Sequence, residues 1–349
     1  MKKILMTIAS LFILGMTFAQ NNTATTTQTG SYEISATTQT GSSNTASVVQ
    51  SQVGSITTIN GFINKSTVTQ EGKYNLVNFN QNDDGTGMKV GNTATIDQIG
   101  EHNIANSESF MHGQSFSNIT DKQEGNSNEI TQHAEGTTDI MYNIAQIGNN
   151  NKSTQVGVAT NNMANIDVTQ NGNKNISEQT ADISYGQARI VQSGNENYAS
   201  QNVVKFGSNA TIEQTGLNNE AIQESNNSEA YIEAIQTGNK NKVYQKTNNS
   251  KTWNNNIVHQ IGNENDASTV QIATNSNANV LQEGDYNKST VSQNGDLETV
   301  DVKQFANSNL SAIVQLGSSN FVSILQETNM NVSSVNQNGV NNNANIVQH

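Results

Sequence analysis

The sequence predicts an all-β fold, a parallel β-solenoid of about 14.5 strand-turn-strand coils, each about 22 residues long, with two parallel sheets packed face to face. Three observations lead there. Glutamines recur on a fixed beat. Small and apolar residues between them fall at every second position, the strand period rather than the 3.6 of a helix. The chain has 349 residues and no Pro, so nothing in it removes a ladder hydrogen bond.

Residues 1–19 read as a secretory signal peptide. Lys2 and Lys3 form a basic start, Ile4 to Phe18 a short apolar stretch, and Thr17-Phe18-Ala19 a small-residue cleavage site before Gln20. The stretch is too short to span a bilayer, and no other apolar run is long enough for a membrane helix. Loss of Lys2 and Lys3 takes the net charge from -13 to -15. The mature chain, 20–349, is therefore expected to be exported, not membrane-spanning, and built of repeats throughout.

The repeat is clearest toward the C-terminus. Gln282-Glu-Gly284-Asp-Tyr-Asn287-Lys-Ser289-Thr-Val291-Ser-Gln293 gives the unit, and from Gln260 to Gln348 a Gln falls every eleventh residue. Upstream, the companions of Gln170, Gln192, Gln214 and Gln236 follow at nine instead, at Gln179, Gln201, Gln223 and Gln245. Nine and eleven are both odd, so the companion keeps to the same strand face. Counting Gln28, Gln50, Gln70, Gln98 and onward to Gln348 gives 15 first strands and 14 second strands, hence the half coil. An eleven-residue period also suits a right-handed coiled coil, but Asn, Thr, Ser and Gly are poor helix formers.

Gln-x-Gly-x-x-Asn reads as a turn, because Gly and Asn tolerate positive φ. Gly194, Gly216, Gly238, Gly262 and Gly284 are the turn glycines. Strands one unit apart stack at about 4.8 Å. Ala210, Ile212, Ile313 and Ile324 are expected to fill a thin core. The composition fits such a core: 58 Asn and 31 Gln against 33% hydrophobic and 13% charged residues. An ordinary domain has about 45–50% apolar residues. Inward amides stacked coil on coil satisfy one another, so Gln192, Gln214, Gln236, Gln260, Gln282, Gln304 and Gln326 are predicted to form a core amide ladder. The segments 82–91 and 110–116 break the beat and read as surface loops, and 52–60 is irregular.

These repeats resemble those of the curlins, the subunits of curli fibres. The signature Q-x-G-x-x-N-x-A-x-x-x-Q stands here as Gln39-Thr-Gly41-Ser-Ser-Asn44-Thr-Ala46-Ser-Val-Val-Gln50. The resemblance spans nearly the whole mature chain, with more repeats than the better-known members. It implies a bacterial protein exported through an outer-membrane secretion pore and polymerising outside the cell into amyloid fibres of biofilm, with a nucleator subunit and matrix polysaccharide or host proteins as further partners. No Lys or Arg follows Lys303, which leans toward the major, fibre-forming subunit over the minor, nucleating one, whose C-terminus is basic.

One argument for polymerisation is independent of the resemblance. Solenoids that stay monomeric need polar capping units, and here repeat sequence occupies both ends. The edges Asn22, Ala24, Thr26 and Gln28, and Asn342, Ala344, Ile346 and Gln348, are therefore expected to template further strands, stacking copies head to tail. The half coil predicts that each new copy enters rotated by half a turn.

Little else suggests chemistry. The absence of Cys excludes a disulfide scaffold and a thiolate site. The acidic balance disfavours nucleic acid. Acids such as Glu71, Glu124 and Glu283 fall on outward or turn positions, which disfavours the paired carboxylates of a glycosidase. Asn80-x-Asn82-x-Asp84-Gly85 resembles a calcium loop but has Gly91 where its bidentate Glu belongs. No catalytic residue, metal or cofactor is expected. The rival readings are a nucleator and a monomeric secreted adhesin or carbohydrate-binding solenoid, for which the lone Trp253 is the available contact. Ice binding needs Thr-x-Thr at one phase in most coils, and Thr25-Thr26-Thr27 and Thr57-Thr58 do not supply it.

Overall fold

The structure is a computed structural model that describes residues 21–349 apart from 31–32, 53–63, 84–91, 112–116, 137–139, 160–163, 184, 228 and 250–252. The signal segment, most of both insertions and nearly all of 52–60 thus lie outside the described residues. What is described is all strand and turn. Twenty-eight strands run from β1 (Thr23–Thr29) to β28 (Asn343–Gln348). Odd-numbered strands form one 14-stranded sheet and even-numbered strands another, each in sequence order, and every pairing is parallel. A coil is one odd strand plus the even strand after it, so coil 1 is β1 with β2 (Ile34–Ser42), and 13 steps lead to coil 14, β27 (Val332–Val340) with β28.

The strands exist because alternate residues have somewhere to go. In β16 (Asn209–Leu217), Ala210, Ile212 and Gln214 are buried while Asn209, Thr211 and Glu213 face outward. The same alternation runs through β18 (Tyr231–Asn239), where Ile232, Ala234 and Gln236 are buried. Two inner faces meet in a core only a few side chains wide, and its buried apolar residues form one continuous cluster.

The coil count differs from the expected 14.5, for an identifiable reason. Gln28 and Gln50 lie in the odd sheet, and Gln70 and all its successors in the even one. The true partner of Gln50 is Gln81, 31 residues on, and Gln70 follows Gln39. Between β3 (Thr45–Gln52) and β4 (Lys65–Lys73), the longer connection makes a change of sheet look like one period. The described chain begins in the odd sheet and ends in the even one, so no half coil remains.

The two connections in a coil are unlike in coils 2 to 10. From an even to an odd strand the chain turns within a few residues, at 43–44 and 218–219 for example. In this turn the fourth residue after the Gln has positive φ every time, from Ser43 (57°) to Met330 (60°). Gly216 shows why the second is usually Gly: its φ is +125°, and a Cβ there would sit 1.9 Å from the carbonyl oxygen of Gly238. From an odd to an even strand the connections differ in length, 53–64 and 84–92 being the longest.

Candidate assembly interface

The even sheet carries one unbroken column of amides. Gln39 Nε2 donates to Gln70 Oε1, and so on forward through Gln192, Gln214, Gln236, Gln260, Gln282, Gln304 and Gln326 to Gln348, in 13 bonds of 2.7–3.0 Å. The second Nε2 hydrogen reaches across to a carbonyl of the odd sheet, as Gln214 does to Tyr198 at 2.9 Å. Each such Gln therefore ties three strands together. The turn adds an Asn column: the backbone N–H of each Asn donates to Oδ1 of the Asn one coil back, from Asn44 on Asn22 to Asn331 on Asn309, at 2.9–3.1 Å. In most coils its Nδ2 also reaches the oxygen of a turn glycine, Asn197 to Gly216 for one.

The odd sheet is different. Its glutamines form three blocks. Gln28, Gln50 and Gln81 bond in series at the last inward position of their strands. Gln132 through Gln245 bond in series one inward position earlier. Gln271, Gln293, Gln315 and Gln337 return to the last position. These are the nine- and eleven-residue companions of the sequence. In register, Gln245 faces Thr269 while Thr247 faces Gln271. Apolar residues swap with them: Val48 and Val291 hold the middle position in the end blocks, and Gln holds it in the central block, where Ala134, Gly157, Ala181 and Val203 take the last one. Gly157 leaves the space that Tyr142 fills, since a Cβ would sit 1.9 Å from its hydroxyl oxygen.

Both phase shifts leave traces. At the first, β7 (Ile104–Met111) has Ser107 and Ser109 where its neighbours have Gln. Ser107 Oγ donates to Asp121 Oδ2, on β8 (Ser117–Asn126), and Ser109 Oγ lies 2.8 Å from Ser117 Oγ. Asp121 stands between Ile96 and Ile144 in an apolar column. Burial pushes its carboxyl up to about 7, against the smaller lowering effect of Ser107. At the second shift, Asn256 accepts from Thr269 Oγ1 at 2.5 Å and from Gln245 Nε2 at 3.1 Å. Even so, Gln81 Nε2, Asp121 Oδ1, Gln132 Oε1, Asn256 Nδ2 and Gln271 Oε1 are buried without a partner. Each such atom costs roughly 1–3 kcal/mol. Ser107, Asp121 and Asn256 escape sequence reasoning. The one available signal is the missing Gln between Gln81 and Gln132 in the odd series.

The ends are open among the described residues. All seven residues of β1 are exposed. On β28, Ala344, Ile346 and Gln348 are half-buried. Asn22, Ala24, Thr26 and Gln28 thus border the odd sheet and Asn342, Ala344, Ile346 and Gln348 the even one. Each end face also includes a strand that the expected edge residues leave out, β2 at one end and β27 at the other. Because β28 lies in the even sheet, the half-turn entry expected from a half coil has no structural basis.

Charge is kept away from these ends. Of 29 Asp and Glu, only Glu33 and Glu327 lie outside 65–303, and no Lys or Arg lies in 21–64 or 304–349. Between them charged side chains pair along the outer faces, as in Lys174–Glu196 at 3.0 Å and Lys240–Glu264 at 3.2 Å. Glu71, Glu124 and Glu283 are exposed. Among the described residues no group of three His, Cys, Asp or Glu could hold a metal ion. Trp253 is 68% exposed. Asp84 and Gly85 of the calcium-like stretch lie outside the described residues.

The model of one family, the curlin associated repeat, matches residues 273–305. That segment covers the even strand of coil 11 and both strands of coil 12, in the block with even eleven-residue spacing, and it includes Gln282 to Gln293. The match supports a place in the curlin family on one repeat. No curated protein matches the chain.

Proposed function

We propose that this chain, a curlin-family protein by its repeat, is a structural subunit of extracellular, curli-like amyloid fibres that grow head to tail by edge-strand templating. The observation that carries the reading is the complementarity of the two end faces. The ladder runs one way, each Nε2 donating toward the C-terminal coil. One face therefore offers the acceptors Gln28 Oε1 and Gln39 Oε1, and the other the donors Gln337 Nε2 and Gln348 Nε2. Exposed edges with unpaired backbone groups recruit strands of other chains. The nearly uncharged ends let acidic copies meet without like-charge repulsion. Export by the signal at 1–19 and a matrix or adhesive role follow from the same reading. The lack of Lys and Arg after Lys303 supports the fibre-forming role over the nucleating one.

Incubation of the purified chain from Gln20 onward tests this. Fibres with a spacing near 4.7–4.8 Å, growing faster on preformed seeds, are expected. A chain that stays monomeric for days at micromolar concentration defeats the proposal.

A further inference from the structure

We infer that the phase of the odd-sheet glutamines makes the two ends of this chain recognise each other and not its middle, with Thr26, Gln28, Val335 and Gln337 as the specificity-determining residues. The partner is a second copy of this chain, so the inference rests on the polymer reading and adds to it a register and an orientation.

The first support is the column chemistry. Coil 14 set on coil 1 of another copy places Gln337 over Gln28 and Val335 over Thr26 in the odd sheet. In the even sheet it places Gln348 over Gln39 and Ile346 over Thr37. These are the continuations that the strand pairing within the chain already makes, where Gln315 faces Gln337 and Ile313 faces Val335, and Gln28 faces Gln50 and Thr26 faces Val48. In both sheets amide meets amide at the last inward position and β-branched residue meets β-branched residue at the middle one, while small residues meet at the first, Ser333 over Ala24 and Ala344 over Ser35. Odd strand meets odd strand, so the step across the seam is one whole coil, without rotation by half a turn.

The second support comes from the two places where unlike phases already meet. There the chain needs Ser107, Asp121 and Asn256 as bridging groups and still leaves Gln81 Nε2, Gln132 Oε1 and Gln271 Oε1 buried without partners. A central-block coil offered to either end would put Gln against a β-branched side chain with no bridging residue to repair it. The two end blocks share a phase that the coils between them lack, and only the ends are nearly free of charge. An end therefore extends on an end, and an edge exposed within the central block is a poor template for it.

The test uses the full mature chain and seeded elongation rates. Exchanging the two positions in coil 14 (Val335→Gln with Gln337→Val) puts that face in the central phase, and Thr26→Gln with Gln28→Thr does the same at the other end. Each exchange alone should slow elongation on its own seeds by about tenfold, the effect of roughly 1.4 kcal/mol at the seam. The four substitutions together restore matched columns and should recover most of that rate, while elongating poorly on wild-type seeds. The mismatch between coils 13 and 14 inside the chain is the same in the coil-14 exchange and in the combined variant, so recovery reports the seam. Circular dichroism of the monomers checks that the remaining coils stay folded. Wild-type rates in the single exchanges, or no recovery in the combination, overturn the phase recognition alone. A wild-type chain that makes no fibres overturns the polymer reading beneath it.

Discussion

The even sheet and the odd sheet perform the same structural task with unequal consistency. In the even sheet one amide per coil stays in one column through 14 coils, and each Nε2 before that of Gln348 uses both hydrogens within the structure. In the odd sheet the column jumps twice, and at each jump buried atoms are left unpaired. The tight turn explains the asymmetry. Every even strand hands over to an odd one through the same Gln-to-Asn spacing, which pins the Gln that begins the turn. The other connection changes length from coil to coil, so the Gln before it is free to sit at either inward position. Regular turns therefore preserve the column next to them, and irregular ones do not.

The largest test of that contrast is in the turns themselves. Gly216→Ala would drive a Cβ into the Gly238 carbonyl at a φ of +125° and should cost about 5 kcal/mol, from backbone strain and overpacking together. Gly207, on the irregular side, has φ +70°, and a Cβ there would come closest to the flexible Glu229 side chain, at 3.1 Å, with the backbone no nearer than 3.7 Å. Gly207→Ala should cost no more than about 1–2 kcal/mol. Because coils open locally, amide hydrogen exchange across β16 and β18 is the appropriate measurement.

Next in size is pH. Asp121 is held neutral by burial, with its carboxyl at about 7 against 3.8 for the free group. Its contribution is fully present below about pH 4 and is lost as pH rises through about 7. Stability should thus fall by up to about 4 kcal/mol between those limits. Asp121→Asn should flatten that dependence and make coil 4 harder to open at pH 8. An unchanged profile in this variant would mean that Asp121 is not the group responsible.

A third comparison sets the interior of a block against its edge. Gln214→Ala cuts an intact ladder and strands Gln192 Nε2 and Gln236 Oε1, which should cost about 3 kcal/mol. Gln81 already has an unpaired Nε2, so Gln81→Ala should cost about 1 kcal/mol less at least. Equal losses in denaturant would remove the distinction between block and junction. The smallest effect belongs to the outer faces. Lys240→Ala removes an exposed pair with Glu264 and should change stability by under about 0.5 kcal/mol, vanishing in high salt.

Much of the fold is legible in the sequence. The eleven-residue beat from Gln260 to Gln348 reports equal half-coils, and the odd spacing of the nine-residue companions Gln179 to Gln245 puts them on the inner face, where they are buried. The step from Gln50 to Gln70 is the exception, because the two lie in different sheets. A spacing of 20 resembles one period, and the spacing of 31 between the actual partners Gln50 and Gln81 does not. Parallel strands pair whatever the length of the connection between them, so spacing along the chain does not identify the sheet. Asp121 was hidden for a related reason. An acid in a polar sequence reads as solvated, and only its register against Ile96 and Ile144 shows it inside.

The sequence by itself determined the strands, the turns and the inward face of each strand, because alternation, Gly at positive φ and the absence of Pro act through neighbouring residues. Only the tertiary structure decided which amides share a column, where the columns jump, and that both ends present the same phase. Those are properties of register between residues some 22 to 31 positions apart, set by backbone pairing that no local pattern records.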